Sequence, residues 1–535
     1  MKTMISSIIL ASCLALPLAS CSDSDVAPEQ KDWSTTTYFY SADAAMQDTY
    51  YKPTVGYVGD PMPFFDPVAG DFKVLYLQDF RPNPEGTYHP IWGVSTKDAA
   101  HYTSLGELVS CGTKKSQDAA IGTGSTIYDE SSKLYYTFYT GNKYLPTGDE
   151  SAQAVMVATS SDFKTWTKDR TFLLKGQDFG YDKNDFRDPF VFKGDDGKFH
   201  MLISTKKGGK GSLAEFVSDD LKNWTDNGVF MTMMWDRFYE CPDLFKMGDY
   251  WYLVYSEIHH AVRRVQYFKG RTLDELKACT ANDVARWPDA HEGFLDSRGL
   301  YAGKTASDGT NRYLWGWCPT RSGKDNTAVG ASPAEPEWGG NLVCYKLIQH
   351  EDGTLTLGQV DAVSEKYNQD VAVEVKESQN MTEADGTYTL AGNVEQPDAY
   401  MLMGRLGSHN KISFTVTTSN KWDKFGISMV RGSDSKKYYT MVVNPEDENN
   451  RKVNFEEQGV EGKGFIAGID GYVFARPADN VYNVTIYTDN SICVMYINDV
   501  CSYTNRIYGI QKNCWSINSY NAANVKISNL KISQY

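Results

Sequence analysis

What this chain lacks narrows its chemistry. Basic charge is in deficit: 53 Lys and Arg against 68 Asp and Glu leave a net charge of −15. Nucleic acids and anionic membrane surfaces both demand a basic patch, so neither is expected as a partner. The ten cysteines form no CxxC pair and no regular framework, and the eight histidines carry no zinc-ligand spacing. His259-His260 is an isolated pair, so no metal or cofactor is expected. Cys241, Cys279, Cys318 and Cys344 are scattered through strand-like segments and read as buried free thiols. Cys493, Cys501 and Cys514 lie close enough in sequence for one pair to bridge. Segments at helical period are few. The apolar run within the first twenty residues is too short to span a bilayer as a mature helix.

That run follows Lys2 and passes through Ile8, Ile9, Leu10, Leu14, Leu16 and Leu18, the pattern of a signal peptide. It closes on Leu18-Ala19-Ser20-Cys21, which resembles a bacterial lipobox with Cys21 as the acylated residue. Leu10-Ala11-Ser12-Cys13 has the same local pattern, but cutting there leaves almost no apolar segment. Ser22-Asp23-Ser24-Asp25 comes next, and an acidic stretch after the lipid cysteine resembles the surface-export signal of Bacteroidetes lipoproteins. Residues 1–20 are therefore expected to be a lipoprotein signal peptide and 21–34 a linker. The mature protein is expected in the outer membrane, held there by its lipid alone and facing outward, with a periplasm-facing orientation as the alternative.

Beyond the linker the chain repeats itself. An acidic or small residue opens a short apolar strand, a polar turn follows, and an aromatic-rich strand comes next. Gly59-Asp60-Pro61-Met62 leads to Val74-Leu75-Tyr76-Leu77, and Gly124-Ser125-Thr126-Ile127 to Leu134-Tyr135-Tyr136. Arg187-Asp188-Pro189-Phe190 leads to Phe199-His200-Met201, Glu240-Cys241-Pro242-Asp243 to Tyr250-Trp251-Tyr252, and Leu300-Tyr301-Ala302-Gly303 to Tyr313-Leu314-Trp315. A second element recurs between them: Asp162-Phe163-Lys164-Thr165-Trp166 matches Asp220-Leu221-Lys222-Asn223-Trp224, with Asp98-Ala99-Ala100-His101-Tyr102 a looser copy. In each the Asp caps a turn and the aromatic packs behind the next strand. Repeats about 50–65 residues apart, each of about four strands, indicate propeller blades. A five-bladed β-propeller is expected over 35–367. Alternating strands with polar turns, such as Lys411-Ile412-Ser413-Phe414, indicate a C-terminal β-sandwich over 368–535.

In a propeller the innermost strand of every blade lines the central channel, so residues that open successive blades converge. Asp60, Asp188 and Glu240 then meet on one axis. Glycoside cleavage needs one carboxylate to attack or activate water and another to deliver a proton to the leaving oxygen. Like charges crowded in a partly dry pocket raise the pKa of at least one of them. An Asp-Pro turn or a strand-end cap explains any one acid alone; three at matched positions call for more.

The ordered set of motifs resembles glycoside hydrolase family 32, the invertases, inulinases and levanases. Gly59-Asp60-Pro61 is similar to the family's nucleophile motif, Arg187-Asp188-Pro189 to its Arg-Asp-Pro, and Glu240-Cys241 to its Glu-Cys. Further matches are Leu77-Gln78-Asp79-Phe80, Trp92-Gly93-Val94-Ser95, Thr123-Gly124-Ser125, Tyr301-Ala302-Gly303-Lys304-Thr305, Trp315-Gly316-Trp317 and Trp338-Gly339-Gly340-Asn341. In the C-terminal region Asp489-Asn490-Ser491 through Asn498-Asp499 also fits. The resemblance implies a retaining β-fructofuranosidase acting on fructans or fructo-oligosaccharides. Asp60 is then the nucleophile and Glu240 the general acid/base, with Asp188 stabilising the oxocarbenium-like state and Arg187 bracing that site. Gln78, Trp92 and Ser125 are then contacts to the fructosyl unit. Two departures stand beside Asp60: Gly59 and Met62 replace the family's Asn residues, and its sandwich-motif Glu is replaced too. The related inverting arabinanase or xylosidase propellers, and a surface glycan-binding lipoprotein without catalysis, are the competing readings.

Overall fold

The structure is a computed structural model that describes residues 49–80, 88–233, 238–257, 264–282, 292–297, 299–321, 336–431, 437–444, 453–456, 474, 476–507 and 510–535. Cys21, the 21–34 linker and His259-His260 lie outside the described residues. Strands dominate; Leu273–Asn282 and Asp361–Lys366 are the α-helices among the described residues.

Tyr57–Asp66, Asp71–Asp79, Ile91–Thr96 and Thr103–Val109 form the first four-stranded antiparallel blade. Ala120–Asp129 opens the second, Phe186–Lys193 the third, Glu240–Met247 the fourth and Tyr301–Ser307 a further group, each followed by three more strands in meander order. The opening strands contact one another in sequence order, and Tyr301–Ser307 returns to Tyr57–Asp66. Pairing closes the ring as well: Gly340, in Pro336–Gln349, stands opposite Val58, and the Leu342 N–H donates to the Tyr51 carbonyl at 2.8 Å.

The recurring Asp-aromatic element is one turn built three times. Asp162 Oδ1 accepts the N–H groups of Lys164 and Thr165 at 2.9 and 2.8 Å, and Asp220 Oδ1 those of Lys222 and Asn223 at 2.9 and 2.8 Å. Asp98 Oδ1 does the same for Ala100 and His101 at 3.0 and 2.9 Å. The next residue takes a left-handed backbone in all three, Ala99, Phe163 and Leu221, with φ of 58°, 60° and 62°. The closing aromatic, Tyr102, Trp166 or Trp224, donates to that residue's carbonyl. The Asp side chain satisfies the N–H groups that a tight turn leaves unpaired, which is why these blades keep the same residue there.

A second regularity governs the axis. Every opening strand is interrupted by a β-bulge close to its start. The ladder slips between Gly59 and Pro61, between Gly122 and Gly124, opposite Leu202 and Ser204, between Glu240 and Asp243, and between Tyr301 and Lys304. A bulge places two residues against one and re-aims a side chain that a regular strand would send into the sheet face. Asp188, Cys241 and Ala302 sit in these bulges at φ of 57°, 52° and 53°.

The C-terminal region packs two sheets. One runs Met381–Ala384, Thr387–Ala391, Asn524–Gln534, His409–Thr418, Val481–Asp489, Ile492–Ile497 and Cys501–Arg506; the other runs Val375–Gln379, Ala399–Arg405, Cys514–Ser519, Phe425–Arg431, Lys437–Val443 and Val453–Glu456. Ile412, Phe414, Val416, Met441, Ile486 and Trp515 fill the space between them. The other face of the first sheet lies against the propeller, where Tyr487, Ile492, Val494 and Tyr496 share a core with Tyr345 and Leu357. Buried polar groups fix that docking. The Asp296 carboxylate accepts the N–H and hydroxyl of Thr504 at 2.7 and 2.8 Å, and Arg506 donates to the carbonyls of Cys318 and Pro319 at 2.9 and 3.1 Å. The cysteines expected to be thiols form no disulfide among the described residues, and neither do the three with bridging potential. Cys493 faces Asn505 and Cys501 faces Ile497 across the same ladder, so neighbouring strands hold them out of register for a disulfide.

Candidate active site

The bulges bring Asp60, Asp188, Glu240 and Arg187 together. Asp60 is clamped from two blades: Oδ2 accepts the Thr123 hydroxyl at 2.6 Å and Oδ1 accepts Trp317 Nε1–H at 3.0 Å. Burial pushes its pKa up; these two donors oppose the shift, and the charge of Glu240 adds to it. Asp188 is 4% exposed. Its Oδ2 accepts the Cys241 N–H at 2.9 Å, and its own N–H donates to Thr140 Oγ1 at 2.9 Å. Burial raises its pKa to about 6, Arg187 pulling down while Glu240 and Asp60 push up.

Glu240 is held at both oxygens. Arg187 Nη2 donates to Oε1 at 3.0 Å, and the Tyr301 hydroxyl donates to Oε2. Arg187 is itself fixed by Asp185 at 2.7 Å and by the face of Phe238, 3.9 Å from the ring centre. The matched positions need one correction. Aligned on the prolines, Asp60-Pro61 and Asp188-Pro189 correspond to Cys241-Pro242, so Glu240 stands one residue earlier, level with Arg187. Cys241 takes the bulge position and is fully buried, whereas the Glu240 side chain keeps 17% of its surface in solvent. Asp60 is half-buried as well, so Asp188 alone of the three acids is fully buried.

The remaining expected contacts are placed differently. Ser125 lies between blades: its hydroxyl donates to the Pro189 carbonyl at 2.9 Å and accepts the Val191 N–H at 2.8 Å. Both bonds pin the second opening strand to the third. Gln78 stands opposite Val58, fully buried, with Nε2 on the Val55 carbonyl and Oε1 without a partner among the described residues. Trp92 is on the third strand of the first blade, its ring 6.0 Å from that of Phe80. Sequence reasoning assigned no role to Thr123, Trp317 and Tyr301, the residues that hold the two outer carboxyl groups. Each sits inside a motif that was legible as a motif; only the fold shows which atom it reaches.

Residues 50–360 match the family model described as glycosyl hydrolases family 32 N-terminal domain, and residues 353–532 match GH32, BT1760-like, C-terminal domain. The chain belongs to glycosyl hydrolase family 32. Among curated relatives, a sucrose-6-phosphate hydrolase of Vibrio alginolyticus is 26% identical over 240 residues, covering 42% of this chain and 45% of the relative. The β-fructofuranosidase, insoluble isoenzyme CWINV2, of Arabidopsis thaliana is 26% identical over 310 residues, covering 52% and 50%. The chain thus spans about half the length of the curated relatives it matches. Solved structures extend the fold over nearly everything: sucrose-6-phosphate hydrolase from Lactobacillus gasseri (TM-score 0.67, 17% identity, 92% of this chain and 95% of that one) and exo-inulinase from Aspergillus awamori (TM-score 0.67, 16% identity, 91% and 98%). The fold they share is a β-propeller followed by a β-sandwich.

The departures from the family-32 pattern have physical reasons. A Cβ on Gly59 would lie 2.2–2.8 Å from the Trp338 ring. Trp338 is backed in turn by His89, stacked at 4.1 Å, and borders Trp317 at 6.1 Å. An indole therefore fills the space that a side chain at this position requires. Met62 is buried in the core between blades, where its sulfur accepts the Gly124 N–H at 3.1 Å. Val494 replaces the sandwich-motif Glu within the apolar core that joins propeller and sandwich. Gly59→Asn is accordingly expected to destabilise the fold by about 1–3 kcal/mol through overpacking. Trp338→Ala in the same chain should recover part of the loss, measured as the denaturant midpoint.

Proposed function

We propose that this family-32 chain hydrolyses β-fructofuranosyl linkages in fructans or fructo-oligosaccharides by double displacement. The observation that carries the reading is the division among three carboxyl groups: Asp60 clamped by Thr123 and Trp317, Asp188 buried, and Glu240 partly exposed under Tyr301 and Arg187. Asp60, with both oxygens fixed, attacks the anomeric carbon. Glu240, at the mouth, gives its proton to the leaving oxygen and takes one from the incoming water. Asp188, whose charge is coupled to both, stabilises the positive charge that develops on the sugar ring. The relatives support the substrate class, being a β-fructofuranosidase and sucrose-6-phosphate hydrolases by name.

The test is product analysis with levan, inulin, sucrose and arabinan, beside Glu240→Gln. Fructose or fructo-oligosaccharides should appear with wild type alone, first as the β-anomer in NMR. An α-anomer would replace the covalent route with direct attack by water; release from arabinan only would change the substrate class. Fructan bound without any release would make the chain a binding protein.

We also read residues 1–20 as a lipoprotein signal and Cys21 as the lipid-bearing residue that anchors the enzyme to the outer membrane, facing outward. A surface lipoprotein has reason to cut polymers into importable pieces, which favours a polymeric fructan. Labelled palmitate should enter the wild-type chain and not Cys21→Ser; equal labelling of both would remove the anchor.

A further inference from the structure

Behind the three acids lies a buried cation that the reaction scheme leaves unused. Lys304 follows the bulge of Tyr301–Ser307 and is 2% exposed. Its Nζ donates to the Gly124 carbonyl at 2.8 Å, on a different blade, and lies 5.3 Å from the centre of the Phe190 ring on a third. Gly124 directly follows Thr123, the residue that clamps Asp60. An ammonium so deeply buried normally gives up its proton or is absent, because desolvation is costly. Here burial presses its pKa downward, and the carboxylate charges of Asp243, Asp188 and Asp60 hold it up.

We propose that Lys304 is a positioning residue for the reaction: from the floor of the site, its ammonium keeps Asp60 and Asp188 ionised together and fixes the Thr123-Gly124 segment that aims Asp60. The inference rests on the glycosidase reading of those acids. The surrounding charges leave a place for such a cation. Asp60 comes from the first blade, Arg187, Asp188 and Asp185 from the third, and Glu240, Cys241 and Asp243 from the fourth, while Tyr301 and Lys304 come from the same strand. The guanidinium of Arg187 is committed to Asp185 and Glu240 at the mouth. Arg312, bonded to Thr305 at 2.7 Å and lying over Phe245, opposes the charge of Asp243 further out. The Cys241 thiol is kept neutral, since burial pushes its pKa up. Arg187 also acts on Asp188, and Lys304 is a buried cation whose charge meets those of both Asp60 and Asp188.

The test compares Lys304→Met, Lys304→Gln and Lys304→Arg with wild type in the pH dependence of kcat/KM for fructan hydrolysis. Removing an adjacent positive charge favours the protonated carboxyl group, so the acidic limb of both neutral variants should move up by about one unit or more. Lys304→Arg should keep the wild-type limb. The carboxyl ¹³C resonances of Asp60 and Asp188, assigned with their Asn variants, should shift their midpoints in the same direction. That titration reports on Lys304 even if fructan turnover, and with it the glycosidase reading, fails. Unmoved limbs and midpoints in a folded neutral variant overturn the proposal. So does loss of the fold in both neutral variants while Lys304→Arg stays active, because the role would then be structural.

Discussion

Asp60→Asn is expected to fold, to bind fructan, and to lose turnover by a factor on the order of 10⁴–10⁶, the scale of nucleophile removal in other covalent hydrolases. The fold survives because the amide suits the clamp. Trp317 Nε1 still donates to the amide oxygen, and the Thr123 hydroxyl turns from donor to acceptor to meet the NH₂ group. Removing a carboxyl group whose pKa burial has already raised takes nothing from stability at neutral pH. What disappears is the lone pair aimed at the anomeric carbon. Initial rates and calorimetric binding on the same preparation separate the two effects. Residual turnover above about 1%, with contamination excluded, would take the nucleophile role from Asp60.

The same local chemistry explains how far the sequence could be read. Asp60 and Asp188 are visible because Asp-Pro opens two repeats, and a repeated turn such as Asp162 to Trp166 marks blade boundaries through hydrogen bonds local to its own five residues. The one-residue offset of Glu240 can be read against the prolines, but its consequence for the side chain cannot. That consequence depends on a bulge that sets Cys241 and Pro242 against a single partner, and bulges leave no composition signal. Thr123, Trp317 and Tyr301 escape assignment for a related reason: each acts across more than 60 residues of chain. In the sandwich, His409–Thr418 alternates buried and half-buried positions as a one-sided strand should. Ile492–Ile497 is buried throughout, because the propeller covers its second face. The period-two signal vanishes where two domains share a core.

Asp188→Asn is expected to cost most of the turnover, by about 10²–10⁴-fold, and yet to make the protein harder to unfold at neutral pH. In the folded chain its carboxyl group titrates at about 6, against an ordinary 3.8. Between those values the unfolded chain has released the proton and the folded chain retains it. Stability contributed by this group is therefore full below pH 4, falls as pH rises through the window, and is lost above 6. Two pKa units correspond to at most about 3 kcal/mol. The Asn variant escapes that loss while its amide oxygen can still accept the Cys241 N–H. It also suits the left-handed backbone, with φ at 57°, a conformation that Asn tolerates better than most residues. Denaturant midpoints at pH 4.5 and 7.5 decide the matter: the variant should gain on wild type by about 1–3 kcal/mol at the higher pH and by little at the lower. A gap independent of pH would mean that Asp188 is not held protonated by burial. A pH-dependent gap would show that the fold bears the cost of an ionised carboxylate here, beside the sugar carbon where positive charge is to develop.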